Sequence, residues 1–537
     1  MFEWLFNAIR RTIKKRQTES QREPSLQSET REISSSLKQN KKIVKEIFDR
    51  CDDLVIHEFR LGQTGAVEAM LVFFGPMVDQ EMLQKSLLHS LLKVDWIPRM
   101  AGTAWLKESV IPSGEATEKN TWLEVGNGIA KGLVALFTEG QKHVILIPIR
   151  EDVKRQVSQP VMETTVRGPQ AAFNEDLRTN IALLRKFLPT SRLALENFKI
   201  GELSKTEVSM VYLKGYVKTE LIEEVKSRIQ RIKTDAAQDS GYIEEFIQDN
   251  RWSVFAAIEP TERPDRLAGY LVEGYVGLLF DTTPFALTLP TTLASQVQSP
   301  DDYMNRYWFS SFIRLLRWGG LAFSLMLPSF YISVTTFHQE LIPTPLLLSV
   351  AAARERVPFP GFMEALFMEL TFEILREAGV RIPKSFGQTI SIVGAIVIGQ
   401  AAVSAGLVSP VMVIVVALTA IASYTIPSVT LANSVRILRF PLMMASAFMG
   451  LFGMMVGLSI LAYHLCSLRS FGVPYLSPLA PLSFSDLKDT LIRAPAWKMN
   501  LRPRLVGIAE PQRQHSDLKP DPPATRVGRS PWRRGNR

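Results

Sequence analysis

Apolar and polar positions divide this chain into two unlike parts. Between residues 41 and 300, short apolar runs alternate with amphipathic ones. Leu54–Leu61, Val67–Phe74, Gly132–Phe137 and Val144–Ile149 read as strands, with a helix pattern at Asp79–Leu92. After a polar gap at 150–165 a second set begins with a helix at Ala171–Phe187 and strands at Leu193–Ile200 and Val208–Val217. Helices at Thr219–Lys233 and Tyr242–Gln248 follow, then strands at Val276–Phe280 and Phe285–Leu289. Strands alternating with helices predict α/β folding, and two sets predict two subdomains, 41–160 and 161–300.

Beyond Pro300 the pattern changes. There is no charged residue from Ser385 to Val435, a run of 51, nor from Phe440 to Leu468, a run of 29. Trp318–Phe337 adds a run of 20. A helix needs about 20 apolar residues to cross about 30 Å of hydrocarbon. The longest run holds two crossings, near 386–406 and 410–430, with a turn at Gly406–Pro410. The other two runs hold one crossing each, 318–337 and 440–465. Leu341–Ala353 is short and leads into a charged helix, Gly361–Gly379, so it reads as re-entrant or buried among partner helices. The expected fold is a membrane protein: a cytoplasmic N-terminal α/β region of two subdomains, then a helical transmembrane domain, 301–470, of about four to six membrane segments.

Positive charges tend to stay in the cytoplasm. Arg306, Arg314 and Arg317 place the N-terminal region inside, and Arg376, Arg381 and Lys384 do the same before the long run. Arg436 and Arg439 read as a basic cytoplasmic stop. Counting each run once then puts Arg469–Arg504 on the opposite side, so the parity of the crossings stays open.

Charge and cysteine content refine this picture. The net charge of +9 sits in the tails: residues 1–50 hold 12 Lys/Arg against 7 Asp/Glu, and 498–537 hold 10 against 3. Such tails are either solvated or face an anionic surface. In Met1–Arg16, Phe2, Leu5, Phe6, Ile9 and Ile13 fall at helical spacing among Arg10, Arg11, Lys14 and Lys15. That pattern fits a helix on anionic lipid, or one docked on the protein's own domain. Residues 17–40 read as a linker, 471–504 as a juxtamembrane segment and 505–537 as a disordered basic tail. Cys51 and Cys466, the 2 cysteines of the chain, exclude a disulfide framework.

Motifs for chemistry are missing. The chain has no H-E-x-x-H, G-x-S-x-G, Walker loop or G-x-G-x-x-G, and its 6 His are scattered. Gly126-Asn127-Gly128 reads as a turn. We therefore expect no enzyme, no cofactor, no metal site and no nucleic-acid partner. Two features remain. After Lys384, one helical face carries Gln388, Ser391, Ala395, Gly399, Ala402 and Gly406, and the other Val393, Val397, Gln400, Ser404 and Leu407. The small-residue face is either a packing surface between helices or the lining of a pore in a homo-oligomer. Glu364, Glu369 and Glu373, near Arg376 and Glu377, are either a solvated helix face or a cation entrance.

Long strings carry a resemblance. FHQELIPTPLLLSVAAARERVPFPGFMEALFMELTFEILREAGVRIPKSFGQTISIVGAIVIGQAAVSAGLVSPVMVIVVALTAIASYTIPS at 337–428 resembles the A subunit of GerA-type spore germination receptors. So do ILRF at 437–440, HLCSLRSFGVPYLSPLAP at 464–481 and VRGPQAAFNEDLRTNIALLR at 166–185, with ERPD at 262–265 and SFIRLLRW at 311–318. The likeness is collinear over residues 45–504. It implies a multi-pass protein of the spore inner membrane with a cytoplasmic N-terminal domain of two lobes. It implies a permease-like B subunit and a lipoprotein C subunit as partners, and a pentameric A subunit as a nutrient-gated ion conduit. A non-conducting scaffold subunit is the alternative, and a secondary transporter, for which no inverted repeat is visible, a third.

Overall fold

A computed structural model describes residues 32–62, 67–93, 116–149, 159–381, 399–505, 510–515 and 518–520. The amphipathic pattern of Met1–Arg16, most of the linker and most of the basic C-terminal tail lie outside the described residues.

Two α/β units open the chain. In the first, α1 (Leu37–Ile47) precedes β1 (Leu54–Leu61) and β2 (Val67–Phe74). A helix over 80–93 (α2), with π geometry across Leu83–Leu88, follows. Then come β3 (Thr117–Lys119), α3 (Trp122–Ala130), β4 (Val134–Thr138) and β5 (Val144–Ile147). In the second unit, α4 (Leu177–Phe187) precedes β6 (Leu193–Ile200) and β7 (Thr206–Leu213), then α5 (Thr219–Arg231) and α6 (Ser240–Ile247). β8 (Glu259–Thr261), α7 (Pro264–Val272), β9 (Val276–Phe280) and β10 (Ala286–Leu289) complete it.

Both sheets are wholly antiparallel and share one strand order, β1-β2-β4-β5-β3 and β6-β7-β9-β10-β8. The units are thus repeats of one topology, which the sequence pattern did not reveal. Gly126-Asn127-Gly128 corrects an expectation: it lies inside α3, not in a turn. A Cβ at Gly128 would stand 2.4 Å from Leu146 Cδ1, so the glycine lets α3 lie close on β5.

One buried ion pair joins the units. Arg185 of α4 donates to both oxygens of Asp53, at 2.5 and 2.7 Å, and its guanidinium stacks 3.5 Å from the Phe74 ring. A fully desolvated guanidinium needs a bidentate carboxylate, because breaking such a pair leaves a bare buried charge.

After α8 (Leu293–Val297) and α9 (Asp301–Met304) comes the helical region. It contains α10 (Tyr307–Thr336), α11 (Thr344–Arg354), α12 (Gly361–Arg381), α13 (Pro410–Ser423) and α14 (Val429–Ser467). α10 and α14 are long and apolar enough to cross a membrane. Here two expectations change. Arg436 and Arg439, expected as a stop between helices, both lie within α14. The span 440–465 is not one straight helix either. Gly450 adopts φ +62, ψ −142, and α14 folds back on itself there. A Cβ on Gly457 would lie 2.7 Å from Leu442 Cδ1, whereas a straight helix would hold those residues about 22 Å apart. α14 is thus a hairpin with arms 429–449 and 451–467. Gly450 sits against Phe337 and His338, where any Cβ would come within 3.0 Å of them.

The hairpin runs alongside α10. Ser324 accepts from Arg439 and Phe337 meets Gly450, while Gly320 lies against Ala422 and Thr425 at the end of α13. α13 runs the other way, from Ser409 near Glu364 down to Ser423. The chain leaves the second arm beside the α/β unit that α10 left. There Ser470 Oγ donates to Ala257 O at 2.6 Å, and Tyr475 OH donates to Gln296 Oε1 at 2.7 Å. The hairpin, not the charge count, decides where 469–504 lies.

Two predictions follow from these units. Asp53→Ala should destabilise the purified chain by about 3–5 kcal/mol, measured as a lower thermal midpoint, because Arg185 is left unpaired. Glu244 of α6 is half-buried, and burial with Glu245 and Asp239 nearby lifts its carboxyl from 4.5 to about 7. The unfolded chain then loses this proton before the folded one, so the group removes stability as pH rises from 4.5 to about 7. Glu244→Gln should therefore raise the thermal midpoint at pH 8 by about 2–4 °C and leave it unchanged at pH 4.

Candidate functional site

The helical region buries charges, and a buried charge must be paired. Glu369 of α12 and Arg439 of α14 form an ion pair, with side chains 0% and 2% exposed. Arg439 also donates through Nε to Ser324 O at 2.9 Å and through Nη2 to Ser324 Oγ at 3.2 Å. One guanidinium therefore clips three helices, α10, α12 and α14. One turn and a half earlier on α12, Glu364 accepts from the Ser409 N–H at 2.9 Å and faces Arg354 of α11 at 3.3 Å. The Ser409 amide is at the start of α13, where an acidic group suits the helix dipole.

The three glutamates expected at a cation entrance thus have separate places. Glu364 and Glu369 are buried and paired within the chain. Glu373 is half-buried and held by Arg376 of its own helix at 2.6 Å. All three carboxylates are engaged by arginines of this chain.

The small-residue face is described only in part. Gln388, Ser391 and Ala395 lie outside the described residues. Gly399 and Ala402 lie in a short helical stretch, 399–404, before α13. A Cβ on Gly399 would be 3.8 Å from Val413 of α13. Ala402 is buried with Ile332, Ala365, Met412 and Val416. Gly406 takes φ +67 in the turn, 3.1 Å from Arg356 O at its Cβ position. The described members of this face pack against the chain's own helices. The exposed face is Gln400, Ala401, Ser404 and Ala405.

A second site lies where the α/β part meets the helices. Arg314 of α10 is fully buried. Its Nε donates to Asp302 Oδ2 of α9 at 3.1 Å, and its Nη1 donates to Asp489 Oδ1 at 2.8 Å. Arg317 donates to both Asp302 oxygens, at 2.8 and 2.9 Å. Tyr303 OH donates to Asp489 Oδ2 at 2.8 Å. Beside this cluster is a cavity of about 490 Å³, lined by Tyr270, Glu273, Tyr275, Tyr303, Asp489 and Arg513. Arg513 closes it with a 2.7 Å ion pair to Glu273. Burial lifts the Glu273 carboxyl above the usual range, and Arg513 pulls it the other way.

Sequence reading missed this junction. Its partners Asp302, Arg314 and Asp489 are spread across nearly 190 residues, and no local spacing links Asp489 to the rest. The pair Arg314 and Arg317, just before the apolar run at Trp318, is the visible clue.

Known proteins resemble this chain along most of its length. The family profile described as Bacillus/Clostridium GerA spore germination protein matches residues 42–505. Spore germination protein KA of Bacillus subtilis (strain 168) is 40% identical over 494 residues, 92% of this chain and 91% of its own. The uncharacterized membrane protein YfkQ of the same strain is 43% identical over 478 residues, 89% of this chain and 92% of its own. Spore germination protein GerLA of Bacillus cereus is 36% identical over 481 residues, 89% and 96% of the two chains. The crystal structure of the N-terminal domain of the A subunit of the Bacillus megaterium spore germinant receptor GerK3 aligns with 49% of this chain and 97% of that chain. Its identity is 29% and its TM-score 0.39.

The Arg439–Glu369 pair yields a double-mutant prediction. Glu369→Ala alone should cost about 3–5 kcal/mol, seen as lost abundance or a lower thermal midpoint, because Arg439 keeps its charge without a carboxylate. Combining Glu369→Leu with Arg439→Met should recover most of that loss.

Proposed function

This chain belongs to the Bacillus/Clostridium GerA spore germination protein family, and from that membership we propose that it is the A subunit of a nutrient-sensing germination receptor. In this reading it is a multi-pass protein of the spore inner membrane. Its two α/β units lie in the cytoplasm. It assembles as a homo-oligomer, a pentamer by resemblance, with a permease-like B subunit and a lipoprotein C subunit. Opening of the assembly releases cations and starts germination.

The observation that carries the conducting role is the exposed side of 399–404. Gln400, Ala401, Ser404 and Ala405 are small or weakly polar and remain uncovered in a region whose other surface is largely Phe, Leu, Ile and Met. Polar groups at membrane depth are costly unless they find partners or water. Copies of this stretch around an axis would give a wettable lining. The lining face is then Gln400 and Ser404, while Ala402 packs inward.

The hairpin supports the membrane placement. Its arms are close to membrane length, and both the start of α10 and the end of the second arm meet the α/β part, which requires an even number of crossings. In this reading Arg469–Arg504 lies in the cytoplasm with the other basic residues, in line with the positive-inside bias.

Cation release from spores carrying Ser404→Leu, with subunit abundance measured alongside, tests the conduit. Normal abundance with release altered at least about 10-fold, blocked or spontaneous, is expected of a lining residue. Reduced abundance with unaltered release per receptor would mean that this face only assembles the oligomer, the scaffold role.

A further inference from the structure

Trp252 is 95% exposed, on a loop between α6 and β8. Its loop is tied to the hairpin from both sides. Ser253 Oγ lies 3.0 Å from His464 Nε2, one turn before the second arm ends. Ser434 Oγ, near the start of the first arm, donates to Val254 O at 2.6 Å. These two contacts fix the height of Trp252: it stands level with the ends of both apolar arms on the side of the α/β units.

Other side chains at that height share its character. Tyr463, next to His464, is 78% exposed. Tyr242 and Phe246 are exposed one turn apart on α6, whose opposite face buries Ile243 and Ile247 with Phe471, just beyond the second arm. Arg251 and Arg469 are exposed beside them, and Asp249 is neutralised by Arg228 at 2.5 Å. Large aromatic rings with a polar edge, near cations and level with helix ends, have the composition of a membrane–water interface.

We propose that the loop 249–254, with Trp252 at its tip, is an interfacial anchor that inserts into the lipid headgroup layer. Arg251 and Arg469 face the lipid phosphates. The inference rests on the reading of 429–467 as a membrane-crossing hairpin. It gives the second α/β unit two independent holds, one on the hairpin through Ser253 and Val254 and one on lipid through Trp252. A shift of the second arm is then passed to the unit while the membrane keeps the loop at constant depth.

Depth-dependent quenching tests this on the full chain. Trp252→Cys is made together with Cys466→Ser; the remaining Cys51 is buried. The thiol is labelled with bimane, and the protein is placed in phosphatidylethanolamine–phosphatidylglycerol vesicles carrying lipids with a doxyl group at acyl carbon 5 or 12. The expected result is loss of roughly half the emission with the shallow quencher and little loss with the deep one, as for a ring about 5–10 Å into the interface. A second chain carries the label at Ile460→Cys, 65% exposed within the arm, where the deep quencher should dominate. If the arm label is quenched and the Trp252 label is not, the anchor is overturned and the loop faces water or another protein. If neither is quenched, the crossing hairpin itself is overturned, and the anchor with it.

Discussion

A guanidinium stays buried only where a carboxylate meets its charge, and Arg314, met by two, sets the geometry of this chain in that way. Asp302 reaches it from the lead-in helix and Asp489 from the C-terminal segment. Two consecutive helices and a segment 175 residues further on are thereby held at one point, where the α/β part passes into the helices. The adjoining cavity, the Arg513–Glu273 closure and the path of 469–504 along the second unit all follow from that fixed point. Neutral side chains there would pack, but they would not specify which carboxylate belongs beside which helix.

The same logic recurs twice. Arg185–Asp53 sets one α/β unit on its repeat, and Arg439–Glu369 sets α12 against α10 and α14. In each case the partners come from different elements, so each pair constrains orientation as well as distance. The helical region adds a backbone constraint. Gly450 turns α14 against Phe337 and His338, in a conformation that side chains other than glycine rarely adopt. Movement of α10 is thereby linked to the hairpin at its far end, through Gly450, and to the α/β units at its near end, through Arg314.

How much was legible in advance varies with the range of the interaction. Leu54–Leu61, Val67–Phe74, Leu193–Ile200 and Val276–Phe280 stand where alternation and β-branched content place them. The short strands Thr117–Lys119 and Glu259–Thr261 carry no periodic signal, since three residues hold less than two repeats of the pattern. Gly126-Asn127-Gly128 looked like a turn, yet packing of α3 on Leu146 overrides the low helix propensity of glycine. Glu364 and Glu369 were visible as unusual charges beside apolar helices. Whether they faced water or arginine depended on how α11 packs on α12, for Arg354, and on Arg439, 70 residues from Glu369, which no local window spans.

The amino-acid sequence by itself determined the family, the division into an α/β half and an apolar helical half, and the small-residue stretch before Pro410. The family rests on long collinear strings; the other two are properties of composition and of periodicity over fewer than about 20 residues, the range over which backbone geometry repeats. Tertiary structure alone decided that α14 is a hairpin, that Ala402 packs inward while Ser404 stays exposed, and that the segment after the second arm returns to the second α/β unit. A helical face has no intrinsic inside. Its partner is chosen only when distant charges and close-packed glycines bring particular helices together.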